Sequence, residues 1–306
     1  MAVVEVRGLK KSYGDVVALG GINLEVAPGE VVAMLGPNGA GKTTTIEILE
    51  GFRTPDAGAV TVLGSEPVAG GRSFRDRIGI VLQSSGIEGA LTVEESLTMY
   101  SRYYSAPRPP DEVIELVGLG EKRGGRVATL SGGQRRRLDL ALGILGAPEL
   151  LFLDEPTTGF DPVARRHAWE LIDQLSKTGT TILLTTHYLE EAQRLADRVV
   201  VIDRGVIVAQ GDPATLGGRD TARAVIVFRL PEGVSVDGIP NAGSIEVSDR
   251  TVTLTTDQPT AALHELTRWA LERGRELEGL EVKRPTLEDV YLRLVDRQPD
   301  GESVET

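Results

Sequence analysis

Apolar positions follow two rhythms over the first two thirds of the chain. Short apolar, β-branched runs recur at Glu30–Leu35, Ile78–Leu82, Leu150–Leu153, Thr180–Thr185 and Arg198–Ile202. Segments of helical period lie between several of them, and that alternation predicts an α/β fold around a mainly parallel sheet. Met1–Gly8 and Val16–Val26 read as extra strands, with an antiparallel arrangement open to them. From Thr92 to Leu119 the pattern is helical throughout, opening with Thr92 and Glu95 in capping-box spacing. Ser105–Asp111, SAPRPPD, breaks this stretch in two.

The pattern changes near Gly211–Asp220, GDPATLGGRD. Beyond it, Ala222–Leu230 and Thr251–Thr256 alternate with period two and predict strands. Pro259–Gly274 reads as a helix, Glu278–Lys283 as a strand and Thr286–Val295 as a last helix. Leu287, Val290, Tyr291, Leu294 and Val295 would form one apolar stripe on that helix. The expected organisation is a domain over residues 1–216 and a small α+β domain over 217–306.

Composition narrows the chemistry. The 306 residues contain no Cys, which excludes disulfides, thiolate metal sites and a Cys nucleophile. Lys plus Arg number 33 against 45 Asp plus Glu, a net charge of −12. A broad nucleic-acid surface would need clustered basic residues, so no nucleic-acid partner is expected. From Gly217 onward there are 11 basic and 17 acidic residues, which makes the tail the more densely acidic part. The longest apolar runs, such as Leu150–Leu153 and Ala224–Phe228, fall far short of the roughly 20 residues that span a bilayer. The first residues lack a signal-peptide layout. The expectation is a cytoplasmic chain that meets a membrane only through a partner.

One segment carries specific chemistry. Gly36, Pro37, Asn38, Gly39, Ala40, Gly41, Lys42 and Thr43 fit G-x-x-x-x-G-K-[ST], directly between the strand VVAML and the helical segment that opens with Thr44. Glycines let backbone N–H groups wrap phosphates, and the helix N-terminus adds about half a positive charge. Lys42 is expected on the β- and γ-phosphates and the Thr43 hydroxyl on Mg²⁺. Kinases, GTPases and motors share this loop, so it does not choose among them.

A second apolar strand, Leu150–Leu153, ends in Asp154 and Glu155. Ligands gather at such carboxyl ends. Asp154 is suited to hold Mg²⁺ and Glu155 to polarise an attacking water. Leu130-Ser131-Gly132-Gly133-Gln134 precedes the helical stretch RRRLDLALGILG. Ser131 suits an N-cap, and Gly132 and Gly133 free the backbone to approach an anion. The arginines Arg135–Arg137 read as a solvated helix face.

Together these segments resemble the nucleotide-binding subunit of an ATP-binding cassette (ABC) transporter, whose signature is LSGGQ. The resemblance spans Val3–Leu216 and implies the P-loop NTPase fold of an ABC ATPase domain, α/β with an antiparallel β subdomain and a helical insert over about residues 84–146. It also implies further roles. Tyr13 stacks on adenine, and Gln83 touches Mg²⁺ and water and faces the membrane partner. Asp161 signals across the dimer, and His187 contacts the γ-phosphate. RRRLDLALGIL, DEPTTGFDP, THYLEEAQRLADRV and RPTLEDVYLRL are similar to daunorubicin-resistance-type ATPases with ABC-2-type membrane partners. Phe160 departs from the family's usual Leu, and the insert is interrupted at Ala106–Pro110.

The resemblance further implies ATP and Mg²⁺ as cofactors and a head-to-tail dimer of ATPase subunits. Each ATP would lie between one subunit's phosphate loop and the other's signature. A separately encoded permease would complete the transporter, and the chain would sit on the cytoplasmic side of the membrane. The implied activity is ATP hydrolysis that drives export of drugs or other hydrophobic compounds. The rival readings are an importer ATPase, a soluble ABC protein acting on ribosomes or DNA, and a regulator that binds ATP without turnover. The importer type usually carries different sequence after the signature and a different tail. The soluble types fuse two cassettes, or carry zinc cysteines or coiled coils.

Overall fold

The first unit opens with a long hairpin, β1 (Val4–Tyr13) and β2 (Val16–Val26), then β3 (Val31–Leu35) and α1 (Lys42–Leu49). β4 (Ala57–Val62), α2 (Gly71–Arg75), β5 (Ile78–Val81), α3 (Val93–Ser101), α4 (Pro110–Leu116) and α5 (Gly132–Ile144) follow. β6 (Leu150–Asp154), α6 (Pro162–Lys177), β7 (Thr181–Thr186), α7 (Leu189–Leu195), β8 (Arg198–Asp203) and β9 (Val206–Gly211) complete it. The structure, a computed structural model, describes residues 1–81, 86–218, 223–230, 239–240 and 243–296. Two compact units divide the chain, Met1–Pro213 and Ala214–Thr306.

In the first unit the central sheet runs β5-β6-β7-β3-β8-β9. Its first five strands are parallel, and β9 returns antiparallel to β8. β3 and β7 are buried along their whole length, as strands covered on both faces must be, which is why they read as unbroken apolar runs. A second, antiparallel sheet has the order β2-β1-β4. Val4, Val6, Leu9 and Leu24 from this sheet share one core with Ile46 and Leu49 of α1 and with Met34, Phe152, Leu183 and Val200 of the central sheet. The helical expectation from Thr92 onward resolves into α3 and α4. Thr92 and Glu95 form a complete capping box on α3, and Pro110 starts α4 at its first turn.

In the second unit β10 (Ala224–Arg229), β11 (Ser244–Ser248), β12 (Thr251–Thr256) and β13 (Glu278–Lys283) form an antiparallel sheet of order β11-β12-β10-β13. α8 (Pro259–Glu272) covers it through Ala262, Leu266 and Trp269, against Ile226, Phe228, Val252 and Leu254. In α9 (Leu287–Asp296) the expected stripe buries Leu287 and Val290, and helix and turn meet at Leu216–Gly218. A Cβ on Gly217, at φ 68°, would lie 2.5 Å from the Val290 side chain. Leu287 and Val290 of the stripe therefore pack within their own unit.

Candidate active site

Three strands that are neighbours in the order β6-β7-β3 are parallel, so their carboxyl ends lie side by side. Gly36 follows β3, Glu155 follows β6 and His187 follows β7. Residues far apart in the sequence are thus gathered at one sheet edge, the usual ligand site of open α/β sheets.

The loop from Gly36 to Gly41 is shaped by what its backbone touches. A Cβ on Gly36 would lie 2.2 Å from the Ile202 carbonyl oxygen, and one on Gly41 2.7 Å from that of Ala18. Gly41 also takes φ 107° and Gly39 φ 80°, conformations that favour glycine. Pro37, Asn38 and Gly39 are exposed, whereas Ala40 is buried. α1 starts at Lys42 with no side chain capping it, so its first-turn N–H groups are left to an anion. Lys42 is 7% exposed, and its Nζ donates to the Gly36 and Pro37 carbonyls at 2.6 and 3.0 Å. Burial lowers its pKa, while Glu155 and Asp154 oppose that shift. Thr43 is exposed and Thr44 half-buried. An uncapped helix start, a buried cation and a backbone with no room for a side chain at Gly36 and Gly41 fit a polyphosphate.

The acidic pair is fixed by its neighbours. The Thr185 hydroxyl donates to Asp154 Oδ1 and accepts from the Glu155 N–H. Glu155 takes φ 46°, a left-handed conformation uncommon outside glycine. Its Oε2 accepts from the Thr158 hydroxyl at 3.1 Å, and its Oε1 lies 3.2 Å from His187 Nδ1. The His187 ring packs on Tyr188 with centroids 4.1 Å apart, and the Arg165 guanidinium lies 4.7 Å from the Tyr188 centroid. The geometry brings Asp154, Glu155 and His187 together beside the phosphate-type loop. A water held by Glu155 would therefore face whatever the loop binds.

The other expected residues stand apart. Ser131 caps α5 in a reciprocal box with Gln134, and Ser131 and Gly132 are exposed while Gly133 and Gln134 are half-buried. Asp161 is the exposed N-cap of α6, and the Ala164 and Val163 N–H groups hold its carboxyl below the usual range. Tyr13 ends β1 with its ring between Lys11 and Arg53, at 5.7 and 5.4 Å. Gln83 lies outside the described residues.

The sequence reading passed over several contributors. Arg136, read there as part of a solvated face, is 7% exposed and donates to the Asp154, Glu155 and Pro156 carbonyls. Glu191 is fully buried and accepts from the Thr157 hydroxyl and the Trp169 Nε1–H. Burial, with Asp154 and Glu47 nearby, pushes Glu50 up to about 8. No local signal marks these residues except a charge set in an otherwise apolar helical face, as for Glu50 in IEILEG.

Comparison with known proteins agrees with this geometry. The ABC transporter profile matches residues 19–158. The profile for an ABC transporter domain-containing protein-like C-terminal domain matches residues 224–286. The Nod factor export ATP-binding protein I of Rhizobium sp. (strain N33) is 41% identical over 302 residues, 96% of this chain and 97% of that protein. The daunorubicin resistance ATP-binding protein DrrA3 of Streptomyces coeruleorubidus is 39% identical over 300 residues, 95% of each. Among solved structures, an ATP-binding subunit of an ABC transporter superposes with TM-score 0.64 at 28% identity, covering 69% of this chain and 90% of its own. CbiO1 from Clostridium perfringens, part of the transporter complex cbiONQ, gives 0.62 at 29%, with 70% and 89% covered. Likeness over nearly the whole length, on top of a phosphate-type loop with an acid and a histidine at adjoining strand ends, places the chain in the ABC transporter family, as an ATP-binding and ATP-hydrolysing subunit.

Proposed function

We propose that this ATPase powers export through a separately encoded membrane permease, as a head-to-tail dimer on the cytoplasmic side of the membrane. The full-length likeness to ATP-binding proteins named for export and drug resistance supports this reading. Among the described residues, no helix is long and apolar enough to cross a membrane, and in this reading the translocation path is the permease's. The cargo class is drugs or other hydrophobic compounds.

The observation that carries the mechanism is the Glu155 carboxylate, held between Thr158 and His187 beside the Lys42 loop. The loop N–H groups and Lys42 bind the phosphates, and Lys42 neutralises charge as it builds on the γ-phosphate. Glu155 orients water in line and accepts its proton on the carboxylate. His187 holds Glu155 on one side and reaches the γ-phosphate on the other. Among the described residues no cluster of three His, Asp or Glu could hold a metal alone. Asp154, the Thr43 hydroxyl and Gln83 are the residues that would hold a Mg²⁺ ion together with the phosphates. When bound, it adds positive charge to the β- and γ-phosphates. Tyr13 stacks on the adenine, while Ser131–Gln134 and Asp161, at two helix starts where Ser131, Gly132 and Asp161 are exposed, serve the partner subunit's ATP.

Glu155→Gln tests the reading. ATP binding should persist, turnover should fall by about a hundredfold or more, and an ATP-stabilised dimer should accumulate in size-exclusion chromatography. Turnover within about threefold of wild type would remove Glu155 from its role.

A further inference from the structure

Arg136 lies five positions after the N-cap Ser131, on the buried side of α5. Its guanidinium turns away from solvent and toward the end of β6. Nη2 donates to the carbonyl oxygens of Asp154 at 2.7 Å and Glu155 at 2.9 Å, and Nε donates to that of Pro156 at 3.2 Å. Nη1 lies 3.9 Å from the buried Asp139, one helical turn further on. Three consecutive carbonyls therefore point at one side chain. A planar guanidinium suits such a row of acceptors, whereas a point-charge ammonium satisfies fewer at once. Burying this cation is costly, and the charge-assisted bonds offset that cost only while the carbonyls keep their places.

Those carbonyls belong to the turn in which Glu155 takes φ 46°. A left-handed non-glycine residue persists where surrounding bonds over-determine it. Thr185 fixes the N–H side of Glu155, through its carbonyl and its hydroxyl. Arg136 fixes the C=O side. The peptide planes on both sides of the Glu155 Cα are thus set, and with them the direction of its side chain.

We infer that Arg136 is a positioning residue for ATP hydrolysis: it holds the turn that aims the Glu155 carboxylate, and ties that aim to the helix that begins at Ser131. This rests on the role proposed above for Glu155. A shift of the Ser131 end of α5 reaches Glu155 through one side chain, because Arg136 is bonded to the carbonyls flanking it.

The test compares the full chain carrying Arg136→Met, Arg136→Lys or Glu155→Gln with wild type. Steady-state ATP hydrolysis, ATP affinity by calorimetry and thermal unfolding are measured for each. Arg136→Met removes the donors at similar length, and kcat should fall by about 30- to 100-fold, with KM and ATP affinity within about threefold of wild type. Arg136→Lys keeps the charge and should lose about 3- to 10-fold in kcat. A purely structural role would lower the melting temperature and the affinity while leaving the kcat of the folded fraction intact, and that outcome overturns the inference. So does a kcat for Arg136→Met within about twofold of wild type while Glu155→Gln is inactive. Wild-type turnover by Glu155→Gln would instead overturn the role of Glu155, and the inference with it. If Arg136→Met does not fold, Arg136→Lys decides: an unchanged kcat overturns the inference, and a loss of kcat at unchanged affinity supports it.

Discussion

Glu50 ends α1 with its side chain almost fully buried and Oε2 without a partner among the described residues. A carboxylate there also meets the negative end of the helix dipole. Folding raises its pKa from 4.5 to about 8. The folded state therefore keeps a proton that the unfolded chain releases above pH 4.5. The contribution to stability is complete below that pH, falls by about 1.4 kcal/mol per unit between the two values, and is level above pH 8. Glu50→Gln keeps the shape without the titration. Its melting temperature should match wild type near pH 4 and exceed it increasingly up to pH 8. Parallel curves for the two proteins would show that Glu50 is ionised when folded at neutral pH.

Elements differ in how much of themselves they show in the sequence. The phosphate-type loop was legible because its glycines, its lysine and the helix after it are contiguous, and the Ser131 box lies within four residues. β4, AGAVTV, escaped because it is a largely exposed edge strand with a glycine and small residues, and it carries no alternation. β9 follows the turn at Arg204–Gly205 and is half-buried along most of its length, so neither rhythm marks it. Arg136 was unreadable for a different reason. Its acceptors lie 18 to 20 residues later, and a run of three arginines looks solvated until the strand that buries one of them is in place. The same non-local logic governs α7, whose Glu191 joins Thr157, just after the acidic pair, to Trp169 of α6. Replacing Glu191 by Leu would leave a buried hydroxyl and an indole N–H without their acceptor. The expected loss is about 2–4 kcal/mol in urea unfolding, with most of it recovered in Glu191→Gln, whose amide oxygen can still accept.

At the scale of the molecule, each unit has a core of its own, one around the two sheets of the first and one between α8 and the sheet of the second. Lys42, Asp154, Glu155 and His187 all belong to the first unit, and no residue after Pro213 is needed to build their geometry. A chain ending at Pro213 is expected to bind ATP within about threefold of the full-length affinity in calorimetry. An affinity loss of about tenfold or more would give the second unit a part in nucleotide binding. Leu287 and Val290 of α9 are buried, and the helix packs on the Leu216–Gly218 turn inside the second unit.

The contact between α5 and β5 has a mechanical meaning. A Cβ on Gly79 would fall 2.1 Å from the Gly143 carbonyl oxygen, and one on Gly143 would fall 2.4 Å from Val81. Main chain meets main chain at Gly79, and the Val81 side chain fills the space beside Gly143. Side-chain contacts yield by changing rotamer, whereas backbone contacts yield only by separating. With Arg136 bonded at the far end of β6, α5 is fastened at two points to two neighbouring strands. A displacement applied at its Ser131 tip therefore meets the sheet at two anchors, one on each strand, and turns about them as a lever.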